Sequence, residues 1–362
     1  MGYRNLFSKI NNMNKFLQEI LEQPDAVENL SNFYLSPAGE GLLKKAKKIV
    51  SENRIEQIIF TGMGSSYFLS HAASCLFNDH KMYSFAINAS ELLHYNLELF
   101  ERETLLICTS QSGESFEIKE ILKKLPAKVH CIGIVNEEQS ALALKAKVAL
   151  LCKAGMEEKT STKTYTATTL VSFILGWYLS GTWNEEKGKR IRNLAGNFKK
   201  ALSNYQSHTE KMLAFLGDLS TLQIIARGPA FSTASQSALM FREALHIPAN
   251  GMLGGEFRHG PMEMVTEGFK AILFAAGGRT YSQSLKMAED IAGFGGKVLL
   301  ITNEKPDLAG DKIMQIFIDE PDEYLFSVQA IVPMQLFIDQ YAKSKGYEAG
   351  SFSRGAKVTE TE

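Results

Sequence analysis

Short unbroken apolar runs, each closing on a cluster of Gly, Ser or Thr, recur along the chain, and longer stretches with helical periodicity follow them. This alternation predicts parallel strands buried on both faces and joined by helices. The clearest runs are Gln57 to Thr61, Thr104 to Thr109 and Val129 to Asn136, then Leu222 to Arg227, Lys270 to Gly277 and Lys297 to Asn303. Helix-like segments follow the first two of each set: GMGSSYFLSHAASCLF, SQSGESFEIKEILKKL, GPAFSTASQSALMFREAL and GRTYSQSLKMAEDI. Matching Ile58 with Ile224, Ile107 with Leu273 and Asn136 with Asn303 gives offsets of 166, 166 and 167 residues. So constant an offset points to a duplicated α/β unit.

The expected organisation is a helical segment over 1–45, one α/β domain over 46–190, a second over 205–345 and a tail over 346–362. The join from Asn184 to Asn204 is polar but lacks Pro and carries Ile191, Leu194 and Leu202, so it reads as a solvated helix. A last helix is expected near Val328 to Lys345. The stretch after it, GYEAGSFSRGAKVTETE, is poor in core-forming residues, as a frayed terminus would be.

With 362 residues there is length for two cores. Lys and Arg number 39 against 40 Asp and Glu, a formal charge of −1, so neither nucleic acid nor a membrane surface is expected as a partner, and a charged ligand needs a local site. The N-terminus has no apolar leader, and the longest apolar run, Val171 to Gly181, is about half of what a bilayer span requires. A cytoplasmic protein is expected. Cys75, Cys108, Cys131 and Cys152 are widely spaced and read as core residues, and no metal site or cofactor motif is found.

The strand-to-helix junction Thr109-Ser-Gln-Ser-Gly-Glu-Ser115 combines small residues, hydroxyls and an amide with a helix N-terminus, the makings of a phosphate site without fixed positive charge. Ser and Gly also cap helices in ordinary structural roles. A second loop of the same design, Gly62-Met-Gly-Ser-Ser66, strengthens the phosphate reading, because two neighbouring strand ends can converge on one ligand. Neither a complete dinucleotide fingerprint nor GxxxxGK[ST] is present. The block from Phe241 to Pro261 offers a carboxylate, Glu243, near the end of an apolar helix. It also offers His259 in a Gly-rich loop, an acid/base pair if the fold unites them. Taken singly, Glu243 could be a surface residue and His259 a structural histidine.

Together these motifs resemble the sugar-isomerase (SIS) family with two SIS domains, in particular the isomerase half of the glutamine:fructose-6-phosphate amidotransferases. The resemblance runs from Phe16-Leu-Gln-Glu-Ile-Leu-Glu-Gln-Pro24 through GMGSS, Ala89-Ser-Glu91, SQSGES, Lys159-Thr-Ser-Thr-Lys163 and the Glu243 to Pro261 block, to Ala356-Lys357-Val-Thr359. It implies two duplicated domains, each a parallel sheet flanked by helices in a flavodoxin-like three-layer sandwich. It further implies that Ser110, Gln111, Ser112 and Ser115 hold a sugar phosphate with help from Ser66, and that Ser65 and Ser161 meet sugar hydroxyls. Glu243 falls on the family's base, which moves a proton between C1 and C2. His259 would assist ring opening from the adjacent subunit of a homodimer, and Lys357 would meet the open-chain carbonyl.

Several positions depart from that pattern. The chain starts Met1-Gly2-Tyr3 with no cysteine before Cys75, so no glutamine-fed reaction is expected. Met240 and Arg242 stand where the synthase has lysines, and GSFSRG precedes Lys357 in place of the family's proline-arginine pattern. The expected activity is therefore a cofactor-free deaminase or deglycase acting on an amino-substituted hexose 6-phosphate. Plain aldose-ketose isomerisation is the alternative, and a non-catalytic phosphosugar-binding regulator is a further one.

Overall fold

The computed structural model describes residues 14–203, 205–308 and 310–350. Two five-stranded parallel sheets organise the chain. The first contains β1 (Gln57–Gly62), β2 (Ser84–Asn88), β3 (Thr104–Ser110), β4 (His130–Val135) and β5 (Val148–Leu151) in the order β2-β1-β3-β4-β5. The second contains β6 (Leu222–Ala226), β7 (Ala249–Leu253), β8 (Lys270–Ala275), β9 (Lys297–Thr302) and β10 (Ile313–Phe317). Its order, β10-β9-β8-β6-β7, is the first sheet's order read from the other edge, which confirms the duplication. In both sheets the order reverses between the first and third strands of the repeat, the place where ligands of such folds bind at the carboxyl ends of strands.

The central strands β1, β3 and β4 are buried along their whole length, which is why they are written as unbroken apolar runs. One apolar core joins the two sheets. At its centre lies the helix Lys163–Leu179, buried from Lys163 through Trp177, with the hydroxyls of Thr166, Thr169 and Ser172 hydrogen-bonded within the core. Gly176 lets it approach the helix Ser65–Asp79, since a Cβ there would lie 2.7 Å from the Phe77 ring. Ser65–Asp79 in turn packs against Ala230–Leu245, the helix that holds the equivalent place in the second repeat.

The join is a helix, Glu185–Ser203, as its periodicity predicts. Its stripe of Ile191, Leu194, Phe198 and Leu202 is buried, and it packs on the N-terminal helix Gln23–Tyr34. The helix Pro37–Glu52 runs through the boundary drawn at residue 46. The helix Lys15–Leu21 stitches the halves together. Asn14 donates to Asp339 of the helix Val332–Ser344 at 2.7 Å, and Gln23, just beyond it, bridges Gln335 and Thr166.

Candidate functional site

β1 and β3 are neighbours, so the loops that leave them meet at the first switch point. Thr109 joins them: its hydroxyl donates to the carbonyls of Thr61 at 3.1 Å and Ser66 at 2.9 Å. After β3, Ser110 is buried. Its Oγ accepts the Gly113 N–H at 3.1 Å and lies 3.2 Å from Ser115 Oγ. Ser112 accepts the Glu114 N–H at 3.2 Å, while the Gln111 carbonyl accepts from the Asn136 N–H at the end of β4. The Glu114 carboxylate is turned aside, accepting the Ala141 N–H at 2.6 Å, which keeps its charge occupied at another helix start.

Two helix N-termini open at this point, Ser65–Asp79 and Phe116–Lys124, and neither has a side-chain cap. Their first amides have no partner within the helix, and Ser65, Ser66 and Ser115 stand half-buried beside them. Such ends attract anions through the N–H groups and the helix dipole together. The equivalent helices of the second repeat, Ala230–Leu245 and Tyr281–Gly293, also start without a side-chain cap, but different groups stand beside them. Beside Gly228, Gly277 and Gly278 stand the carboxylates of Glu304 and Glu323, with burial raising that of Glu323 above the usual range. The Arg279 guanidinium lies 3.9 Å from Glu323, so carboxylates and a cation line the second repeat where hydroxyls line the first.

Glu243 sits one turn beyond Leu239 on the helix Ala230–Leu245, and Leu239 lies 3.6 Å from where a Cβ on Gly64 would be. The helix thus carries its carboxylate past the β1 loop. Phe241, Ala244 and Leu245 are buried around Glu243, which is itself half-buried and accepts a hydrogen bond from the Thr160 hydroxyl. Thr160 belongs to the segment Glu157–Lys163, which also carries Ser161. That segment is bound by carboxylates on both sides, Glu157 accepting from Thr162 and Thr164 and Glu19 from the amides of Glu158 and Lys159. Buried Lys163 pairs with Glu22 at 2.5 Å. The position of a Cβ on Gly350 would fall 3.4 Å from both Lys159 and Phe16, so the end of the described chain rests on this segment.

The fold therefore unites Ser65, Ser66, Ser110, Gln111, Ser112 and Ser115 at one switch point, and Ser161 with Glu243 beside it. No hydrogen bond joins His259 to Glu243 within the chain. His259 follows the helix Gly254–Arg258 at an exposed turn, with no side-chain hydrogen bond or ion pair to the described residues. Lys357 lies outside the described residues. Thr109 and Thr160 lie inside quoted motifs and Asn136 ends a predicted strand, but their roles here depend on partners remote in sequence. Among the described residues, no helix is long and apolar enough to cross a membrane, and no group of His, Cys, Asp and Glu is placed to hold a metal ion. Cys108, Cys131 and Cys152 are buried, whereas Cys75 is half-buried with its thiol pushed up to about 11 by burial.

The family model for the SIS domain matches residues 53–174 and 216–344, one copy on each sheet. The chain belongs to the SIS-domain family. It is 29% identical over 343 residues to the glutamine–fructose-6-phosphate aminotransferase (isomerizing) of Pyrococcus horikoshii, covering 91% of this chain and 55% of that protein. The Bartonella quintana enzyme of the same name is 25% identical over 341 residues, with 91% and 56% covered. The chain thus spans about half the length of the curated relatives it matches. Among solved structures, the C-terminal domain of glucosamine-fructose-6-phosphate aminotransferase from Francisella tularensis superposes with a TM-score of 0.82 at 22% identity, covering 95% of this chain and 99% of that one. Glucosamine-6-phosphate deaminase from Thermotoga maritima gives 0.73 at 22% identity, with 96% and 99% covered. Tagatose-6-phosphate ketose/aldose isomerase from Escherichia coli gives 0.80 at 19%, with 96% and 98% covered. Their shared fold is that of two SIS domains.

Proposed function

We propose that the chain is a phosphosugar isomerase-type enzyme that acts on an amino-substituted hexose 6-phosphate and releases its nitrogen. One observation carries this reading: two uncapped helix N-termini with serine hydroxyls open at a switch point, and the helix that bears Glu243 packs against the first of them, with Leu239 next to the β1 loop. The phosphate takes the hydroxyls of Ser110, Ser112 and Ser115, the Gln111 amide and the free N–H groups, with Ser66 from the neighbouring loop. Ser65 and Ser161 face the sugar hydroxyls.

Glu243 removes a proton from one of C1 and C2 and returns it to the other through an enolamine. On an open-chain 2-amino aldose this turns the C1 carbonyl into a hydroxyl and the C2 amine into an imine, which water hydrolyses to ammonia and a ketose 6-phosphate. On a 1-amino ketose it turns the C2 carbonyl into a hydroxyl and the C1 amine into an imine, whose hydrolysis releases the amine and leaves an aldose 6-phosphate. Lys357, seven residues beyond Gly350, meets the open-chain carbonyl, and the contact of Gly350 with the Lys159 segment supports its delivery there. His259 serves ring opening in the site of a second copy, which makes the homodimer the working unit; its exposure supports this.

A panel of glucosamine 6-phosphate, fructosamine-type 6-phosphates and fructose 6-phosphate, assayed for ammonia, free amino acid and aldose or ketose phosphate, tests the reading. Turnover of a nitrogen-bearing member is expected, and Glu243→Gln should lower kcat by about 10²–10⁴-fold, the range assigned to a positioned acid/base group. Full activity of Glu243→Gln on the best substrate would refute the mechanism.

A further inference from the structure

The segment that faces Glu243 is held more elaborately than packing requires. Glu19 and Glu157 are 3% and 5% exposed, and burying a carboxylate costs heavily unless donors surround it. Both are surrounded, and the donors come from the residues on either side of one threonine. Glu19 accepts the Glu158 N–H at 2.5 Å and the Lys159 N–H at 3.3 Å. Glu157 accepts the N–H and hydroxyl of Thr162 at 2.9 and 3.1 Å and those of Thr164 at 3.1 and 2.5 Å. The helix Ala230–Leu245 is tied to the same segment twice: Gln236 donates to the Ser161 carbonyl at 3.0 Å, and two turns later Glu243 accepts from Thr160. Thr160 is 1% exposed, so its hydroxyl serves no solvent contact.

We infer that Thr160 is a positioning residue for the proton transfer, its hydroxyl fixing one oxygen of the Glu243 carboxylate so that the group meets C1 and C2 in one orientation. A carboxylate on a flexible Glu side chain samples many rotamers, and a misplacement of about 1 Å in such a group is costly to rate. The segment adds a fixed constraint on that carboxylate, with Glu19 and Glu157 holding the residues on either side of Thr160. This inference rests on the proposed role of Glu243.

Kinetics of Thr160→Val, Thr160→Ser and Glu243→Gln, on whichever phosphosugar of the panel is turned over fastest, test it. Thr160→Val keeps the shape and removes the donor, so kcat should fall by about 10–100-fold, the value of a hydrogen bond to a charged group, with KM within about twofold of wild type. Thr160→Ser restores the donor and should return kcat to within about threefold. If Thr160→Val folds poorly, Thr160→Ala carries the same expectation. Wild-type kcat in Thr160→Val, or equal losses in the Val and Ser variants, would overturn the inference while leaving Glu243 as the base. Full activity of Glu243→Gln would remove the underlying reading, and this inference with it.

Discussion

Gly113 lies in the phosphate-type loop at φ +67°, and a Cβ there would stand 2.1 Å from Ser140 Oγ and 2.5 Å from Ser140 Cβ. Both the backbone angle and the space exclude a side chain. Gly113→Ala is therefore expected to lower stability by about 1–3 kcal/mol or more in urea unfolding, and to weaken phosphosugar binding. Gly41, inside the helix Pro37–Glu52, has nothing within 4 Å of its Cβ position; Gly41→Ala should leave stability unchanged or raise it by up to about 1 kcal/mol. The chemistry of the Ser110 to Ser115 loop was legible in the sequence because all its parts are contiguous. Thr160 was not, because its meaning depends on Glu243, 83 residues away, and on a helix packing that no local pattern encodes. Glu243 itself was legible as a carboxylate near the end of an apolar helix. Its hydroxyl partner was not.

At the level of elements, the helix Ser65–Asp79 has its N-terminus at the phosphate-type site and its last residue latched to the second repeat. Arg279, in the loop after β8, donates to Asp79 at 2.9 Å, and the Tyr324 hydroxyl donates to the same carboxylate. The Arg279 guanidinium, foremost, holds the Asp79 carboxyl below its usual range. A depressed carboxylate contributes stability above its unfolded pKa of about 3.9 and loses it as pH falls through the lower folded value. Melting temperatures of wild type and Asp79→Asn should therefore differ at neutral pH, wild type being higher, and converge below about pH 4. A difference that stays constant down to pH 2 would assign the effect to packing instead. The same scale explains which strands could be read. The predicted runs are β1, β3, β4, β6, β8 and β9, the inner strands of the two sheets. The strands without a legible signal, β2, β5, β7 and β10, are the four edges. Three of these, β2, β7 and β10, are largely half-exposed, so nothing demands an unbroken apolar run. β5 is mostly buried but only four residues long.

For the whole molecule, duplication has produced two like sheets with unlike strand ends, and the proposed catalytic groups are drawn from both. The first repeat supplies the uncapped helix starts and the hydroxyls; the second supplies Glu243 and, on the far side of β7, His259. The proposed roles, Glu243 as base and His259 in the site of a second copy, make a sharp prediction. Glu243→Gln and His259→Ala should each be nearly inactive alone. Unfolded together in equal amounts and refolded as mixed dimers, they should regain about a quarter of wild-type activity, because half of the dimers are mixed and each of those holds one site with both residues intact. Sites confined to single chains would instead leave the mixture as inactive as its parents. Gel filtration of the same samples separates that outcome from a failure to exchange, since both parents must run as dimers and a differently tagged mixed species must be recovered.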